Sequence, residues 1–165
     1  MNDYSYVEAS VKRRETVGSK ILKVFMIVVV IFAVFLSLYN IPTFIISLAI
    51  IFAVIYFFPR LNVEYEYVFV DGQLDFDKIF GGAKRKTDLR IELEQVEVIA
   101  PLDSHVLDQY KEQNFKTKNY SSRDPNTKPY VIIYRKGDSA YKILFEPSEE
   151  LKKAIKLKAP RKIQE

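Results

Sequence analysis

The sequence contains no cysteine, which excludes disulfides, thiolate metal sites and cysteine nucleophiles. It has one histidine, His105, so no metal site built on several imidazoles can form within the chain. Tryptophan is absent. The most informative gap is one of charge. From Val24 to Pro59 there is no Asp, Glu, Lys or Arg. Elsewhere charged residues are dense, so the overall apolar fraction of 48% describes neither part of the chain. The net charge of +4 is modest and does not by itself argue for a nucleic-acid partner.

Two apolar stretches lie back to back, Ile21 to Tyr39 and Ile41 to Phe58. Each is close to the ~20 residues needed to cross a hydrocarbon core. Read as one helix they would exceed ~50 Å, too long for a single crossing. Asn40-Ile41-Pro42-Thr43 supplies the break, with an N-cap and a proline in the first turn of the next helix. Pro59 stops the second helix. Lys23 interrupts the first stretch and is expected to snorkel. Lys12, Arg13, Arg14, Lys20 and Lys23 lie before the pair, Arg60 lies after it, and the connecting turn is uncharged. The positive-inside rule therefore predicts a two-span hairpin in the cell membrane with both termini cytoplasmic. A signal peptide is the competing reading. It is disfavoured by the long segment before the apolar run, by the lack of a small-residue cleavage site, and by the second span that follows. Beyond Lys23 the spans carry no Asp, Glu, Lys or Arg, which argues against an ion path or proton relay. Ala33 with Ser37, and Ala49 with Ala53, form small-residue pairs suited to packing within the hairpin or to a homo-oligomer seam.

The N-terminal segment, residues 1–20, joins Tyr4, Tyr6 and Val7 to the basic cluster Lys12-Arg13-Arg14. Two readings stay open: a helix lying on anionic lipid, or a topology signal alone. After the hairpin, residues 21–59, the pattern changes. Val63, Tyr65, Tyr67 and Phe69 alternate with Glu64, Glu66, Val68 and Val70, the period of a strand with one buried face. Asp71-Gly72 signals a tight hairpin turn into a partner strand over Gln73 to Phe80. Gly81-Gly82 marks the next turn, and strands follow at about Lys84 to Ile91 and Val96 to Ala100, in meander order. Residues 102–129 are polar. Asp103 to Gln113 predicts a short helix capped by Asp103 or Ser104, and Lys116 to Lys128 an exposed, mobile loop. Tyr130 to Arg135 and Ser139 to Phe145 predict two more strands. Pro147-Ser148-Glu149-Glu150 opens a closing helix that runs to about Leu157.

Six or seven strands and one C-terminal helix make an α+β chain: a helical hairpin, then an antiparallel sheet or barrel over residues 60–165. The Asp71-Gly72 hairpin, the basic third strand leading into Ile91-Glu92-Leu93-Glu94-Gln95-Val96-Glu97-Val98, and the closing helix resemble the bacterial pleckstrin-homology-like (PH-like) domains that follow paired membrane helices. The whole layout is similar to a small family of uncharacterised two-span bacterial membrane proteins. The resemblance implies a fold and a location, and no activity. Phosphoinositide-binding members of the broader fold carry basic residues in the first hairpin loop. Here that loop is Asp71-Gly72, so headgroup specificity is not carried over.

Two basic groups are candidates for anionic-lipid contact. Lys84, Arg85 and Lys86 follow the Gly81-Gly82 turn, and Lys152, Lys153, Lys156, Arg161 and Lys162 cluster near the C-terminus with Lys158. The plainer reading is a solvated strand end and cations placed favourably at a helix C-terminus. Glu64, Glu66, Asp75 and Asp77 read as the outward polar face of a hairpin rather than as an acid–base pair. His105, near Asp103 and Asp108, reads as a surface residue. No catalytic, cofactor or metal residue is singled out. The expected function is a membrane-anchored, non-enzymatic module, with the lipid bilayer, an unidentified protein or a second copy as partner, and no nucleic acid. The rival is a small membrane enzyme, or an accessory subunit of one, with its site in the cytoplasmic domain.

Overall fold

The computed structural model describes residues 6–164, so Tyr4 of the expected surface segment lies outside the described residues. Among the described residues, the segment before the hairpin does not form the surface helix that was one of the two expectations. Tyr6–Lys12 forms strand β1, antiparallel to strand β2 (Val63–Val70), with Val7 opposite Phe69 and Lys12 opposite Glu64. The reason lies in the alternation of its residues. Val7, Ala9 and Val11 alternate with polar neighbours and turn toward the core. The register continues past the strand, where the Arg13 N–H donates to the Val63 carbonyl at 3.0 Å. The helical hairpin is therefore an insertion between two neighbouring strands of one sheet.

Helix α1 spans Val17–Ser37 and helix α2 spans Ile41–Phe57. The first begins four residues earlier than the apolar run because Thr16 caps it, accepting from the Ser19 N–H. At the turn, the Asn40 side chain accepts from the Thr43 N–H at 2.9 Å, and the Thr43 hydroxyl accepts from the Asn40 N–H at 3.2 Å. This reciprocal cap satisfies two orphan donors without introducing a charge. Ala33 and Ser47 are the buried residues of the two helices, so small side chains at the crossing let the helices approach closely. Ala49 and Ala53 lie on the exposed side of α2. Lys23 does reach back toward the domain, donating to the Glu15 carboxylate and the Asn62 side-chain oxygen.

After a 3-10 turn over Phe58–Leu61, the chain enters β2, then β3 (Gln73–Phe80) and β4 (Lys84–Glu92). Asp71 (φ 44°) and Gly72 (φ 94°) both occupy the left-handed region that the tight hairpin turn needs. The order in this sheet is β1-β2-β3-β4. The expected meander ends there. A 3-10 turn over Leu93–Gln95 sends β5 (Val96–Pro101) into a second sheet, with β6 (Lys116–Asn119), β7 (Tyr130–Lys136) and β8 (Ser139–Phe145) in the order β5-β7-β8-β6. Strand β6 replaces the first part of the expected mobile loop and pairs parallel with β8. Helix α3 (Glu149–Lys158), capped by Ser148, closes the domain. The isolated Ile99–Ile163 bridge then covers the edge of β5.

The two sheets enclose one core. Phe76 stacks on Tyr120 with ring centres 4.8 Å apart, Tyr67 meets Phe76 and Phe145 edge to face, and α3 contributes Leu151, Ala154 and Ile155. The Tyr67 hydroxyl, which is buried, donates to the Tyr120 carbonyl at 2.6 Å. A smaller cluster of Val98, Ala100, Leu107, Val131 and Ile133 lies on the other face of the second sheet. The excursion after β5, a 3-10 helix over His105–Tyr110 followed by Phe115, covers it. This explains why β7 is apolar at successive positions: Ile132 and Tyr134 face one cluster, Val131 and Ile133 the other.

Candidate functional site

Antiparallel pairing fixes which residues share an end of the first sheet. Lys12, Val63, Phe80 and Lys84 lie at the end next to the hairpin. Tyr6, Val70, Gln73 and Glu92 lie at the far end, six to eight residues away along the strands, roughly 23 Å.

The hairpin-proximal end carries a cleft of about 1160 Å³ between the last turns of α2 and the β3–β4 turn. Phe52, Ala53, Ile55, Tyr56, Pro59 and Phe80 form its walls, and Arg60, Lys84 and Lys86 its rim. Gly81 seals the join. It sits at φ 60°, its N–H donates to the Asn62 carbonyl at 2.9 Å, and a Cβ added there would lie 2.8 Å from the Pro59 Cβ. The Arg60 guanidinium stacks over the Tyr56 ring at 4.0 Å and donates to the Tyr56 hydroxyl. The period of two parts the basic run. Lys84 and Lys86 face this cleft, and Arg85 points to the opposite face.

On that opposite face Arg85 meets carboxylates from three strands. It donates to Glu66 at 2.6 Å, and it lies 3.5 Å from Glu8 and 3.9 Å from Asp77. Glu66 and Asp77 are buried, and Asp77 Oδ1 has no hydrogen-bond partner among the described residues. Burial pushes the Glu66 carboxyl up to about 7, helped by the hydrogen bond and charge of Glu8. The Glu8 carboxyl is held below its usual range by its hydrogen bonds from Glu66 and Tyr6. One proton shared between Glu8 and Glu66 accounts for both directions.

A bulge between Phe76 and Asp77 gives β4 an extra residue, Asp88, and turns it toward the second sheet. Asp88 accepts from the Tyr120 hydroxyl at 2.6 Å and pairs with Lys78 at 3.1 Å and Lys118 at 3.3 Å. Burial opposes its ionisation, but the Tyr120 hydroxyl and Lys78 pull the carboxyl down to about 2. Asp75 is held by Arg90 through two guanidinium nitrogens, at 2.7 and 2.9 Å. Arg85, Asp77, Asp75 and Asp88 thus tie strands together. His105 is fully exposed, 3.3 Å from Asp108. A cleft of about 440 Å³ beside it is lined by Asp103, Asp108 and Lys111, without the imidazole.

The C-terminal basic cluster does not join the hairpin-proximal rim. Lys152 pairs with Glu149 at 2.6 Å and lies over the Tyr130 ring, while Lys153 and Lys156 are exposed on α3. The helix runs toward the far end, where Lys158 meets Asp71 at 2.6 Å. There Lys162 donates to the Leu93 and Glu94 carbonyls at 2.6 and 2.8 Å, and Arg161 lines a groove beside them. Arg60 is the rim residue that sequence reasoning passed over as a site candidate. Its signal was its place directly after the proline that stops α2.

Two four-stranded sheets around one core, closed by a C-terminal helix, define a PH-like domain, here with a helical hairpin between its first two strands. The family model described as Bacterial PH-like domain (DUF6106) matches residues 2–165, and the chain belongs to that family, whose function is unknown. No curated protein and no solved structure matches the chain.

Proposed function

We propose that this chain is a membrane-anchored, non-enzymatic module. The hairpin crosses the bilayer twice, both its ends face the cytoplasm, and the PH-like domain stands on the inner surface. Its hairpin-proximal rim meets anionic lipid, and its far end is free to engage a protein partner.

One observation carries the reading. The two helices that leave and re-enter neighbouring strands are apolar almost throughout and expose nearly all of their large side chains, among them Phe25, Phe32, Phe35, Phe52 and Ile55. Helices apolar on every side call for a hydrocarbon solvent. The β1–β2 pairing supports placing both ends of the insertion on one side, and Arg13, Arg14, Lys20 and Arg60 at those ends favour the cytoplasm. The non-enzymatic part is supported by the engagement of the polar clusters in cross-strand ion pairs.

The test replaces Val17–Leu61 by a short Gly/Ser linker. The full chain is expected to stay with membranes through alkaline extraction. The shortened chain is expected to be soluble and to keep the slowly exchanging backbone amides of the sheet domain. Extraction of the full chain at high pH would remove the anchoring reading. A turnover assay in which the domain alone acts on a substrate would remove the non-enzymatic one.

A further inference from the structure

We infer that the cleft at the hairpin junction binds one anionic phospholipid. Its phosphate is held by Arg60, Lys84 and Lys86, and an acyl chain lies along Phe52 and Ile55 of α2. The inference rests on the reading that the hairpin spans the bilayer.

Charge is the first argument. The lining contains three cations and no carboxylate. On β3 and β4 every other cation is matched: Lys78 by Asp88, Arg85 by Glu66, Arg90 by Asp75. Lys84 and Lys86 have no carboxylate partner among the described residues. Two exposed lysines set two residues apart on one face of an edge strand leave a local positive field that an anion would complete.

Pre-organisation is the second. The Arg60 guanidinium is held by the Tyr56 ring and hydroxyl, so little of its freedom remains to be lost on binding. Gly81, which cannot accept a Cβ without meeting Pro59, fixes the turn that carries Lys84 against the helix end carrying Arg60.

The apolar wall selects a lipid over a free phosphate. The apolar wall runs without interruption into the exposed surface of α2, where Phe52 and Ile55 are 68% and 63% exposed. A soluble phosphate would use only the rim. A phospholipid uses both, because Arg60 follows the last turn of α2, the depth at which hydrocarbon gives way to headgroups.

The test uses the full chain in nanodiscs of mixed phosphatidylglycerol and phosphatidylcholine, with retained lipid read by native mass spectrometry. Wild type is expected to keep one phosphatidylglycerol in preference. Lys84→Ala with Lys86→Ala lowers that preference roughly 25-fold, about fivefold for each basic residue at an anionic surface. Lys153→Ala with Arg161→Ala, away from the rim, leaves it unchanged. Near-ultraviolet circular dichroism checks the fold, and Lys84→Gln with Lys86→Gln is the second pair. Equal retention of the two lipids by wild type, or an unchanged preference in both rim variants, overturns the site. So does complete displacement of the lipid by soluble glycerol phosphate. A chain that fails to enter nanodiscs refutes the anchor itself, which is a different outcome from entering without preference.

Discussion

Glu66 offers a sharp test of the electrostatics of the first sheet. Its carboxyl is buried on the outer face between Glu8 and Asp77, and burial with those neighbours raises it from an ordinary 4.5 to about 7. A carboxyl that titrates higher in the folded chain than in the unfolded one binds its proton preferentially in the fold. Its contribution is therefore complete below about pH 4.5 and is lost as pH rises through about 7. The difference corresponds to about 3 kcal/mol, at about 1.4 kcal/mol per pH unit. This is an upper bound, because the depressed Glu8 carboxyl acts in the opposite sense. Glu66→Gln keeps the side chain's size and removes its ionisation. The variant is expected to match wild type near pH 4 and to exceed it by up to about 3 kcal/mol at pH 8. Denaturant unfolding in detergent micelles, followed by the fluorescence of the 11 tyrosines of this tryptophan-free chain, measures both. A wild type that gains stability from pH 5 to 8, or a variant no more stable than wild type at pH 8, refutes the reasoning.

Tyr67→Phe removes the buried hydroxyl that donates to the Tyr120 carbonyl and accepts from the Glu146 N–H, and should cost about 1–3 kcal/mol in the same unfolding assay. Gly81→Ala brings a Cβ to 2.8 Å from Pro59 at a left-handed backbone position. It should cost at least about 1–2 kcal/mol and raise hydrogen exchange at the Gly81 N–H, while the Tyr67 region stays protected.

The hairpin and most strands were legible because their signals are local. An uncharged run, an uncharged capping pair at Asn40 and Thr43, and a period of two in Val63–Phe69 each lie within one element. Three features were not legible, for physical reasons. Strand β1 carries the same alternation in Val7, Ala9 and Val11, but its partner lies more than fifty residues away, beyond the hairpin, and the basic cluster behind it suggested membrane contact instead. Strand β6 is polar, Lys-Thr-Lys-Asn, and is held by parallel pairing to β8 rather than by burial of its own side chains. The partition of the basic residues needed the register. Arg85 and Lys86 are neighbours in sequence, yet one closes a nest of carboxylates and the other lines the cleft beside α2. The bulge that aims Asp88 at Tyr120 has no local marker in Lys-Thr-Asp-Leu.

The hairpin is inserted between β1 and β2, and the absence of cysteine makes the placement of its ends directly measurable. Single cysteines at Lys12 on β1, at Tyr39 in the turn between the helices, and at Asp138 in the β7–β8 turn are each labelled in intact cells with a membrane-impermeant maleimide, then again after lysis. Tyr39→Cys is expected to react in intact cells, and Lys12→Cys and Asp138→Cys only after lysis. Labels at Lys12 and Asp138 that report opposite sides of the membrane would contradict the insertion, since β1 could not then pair with β2.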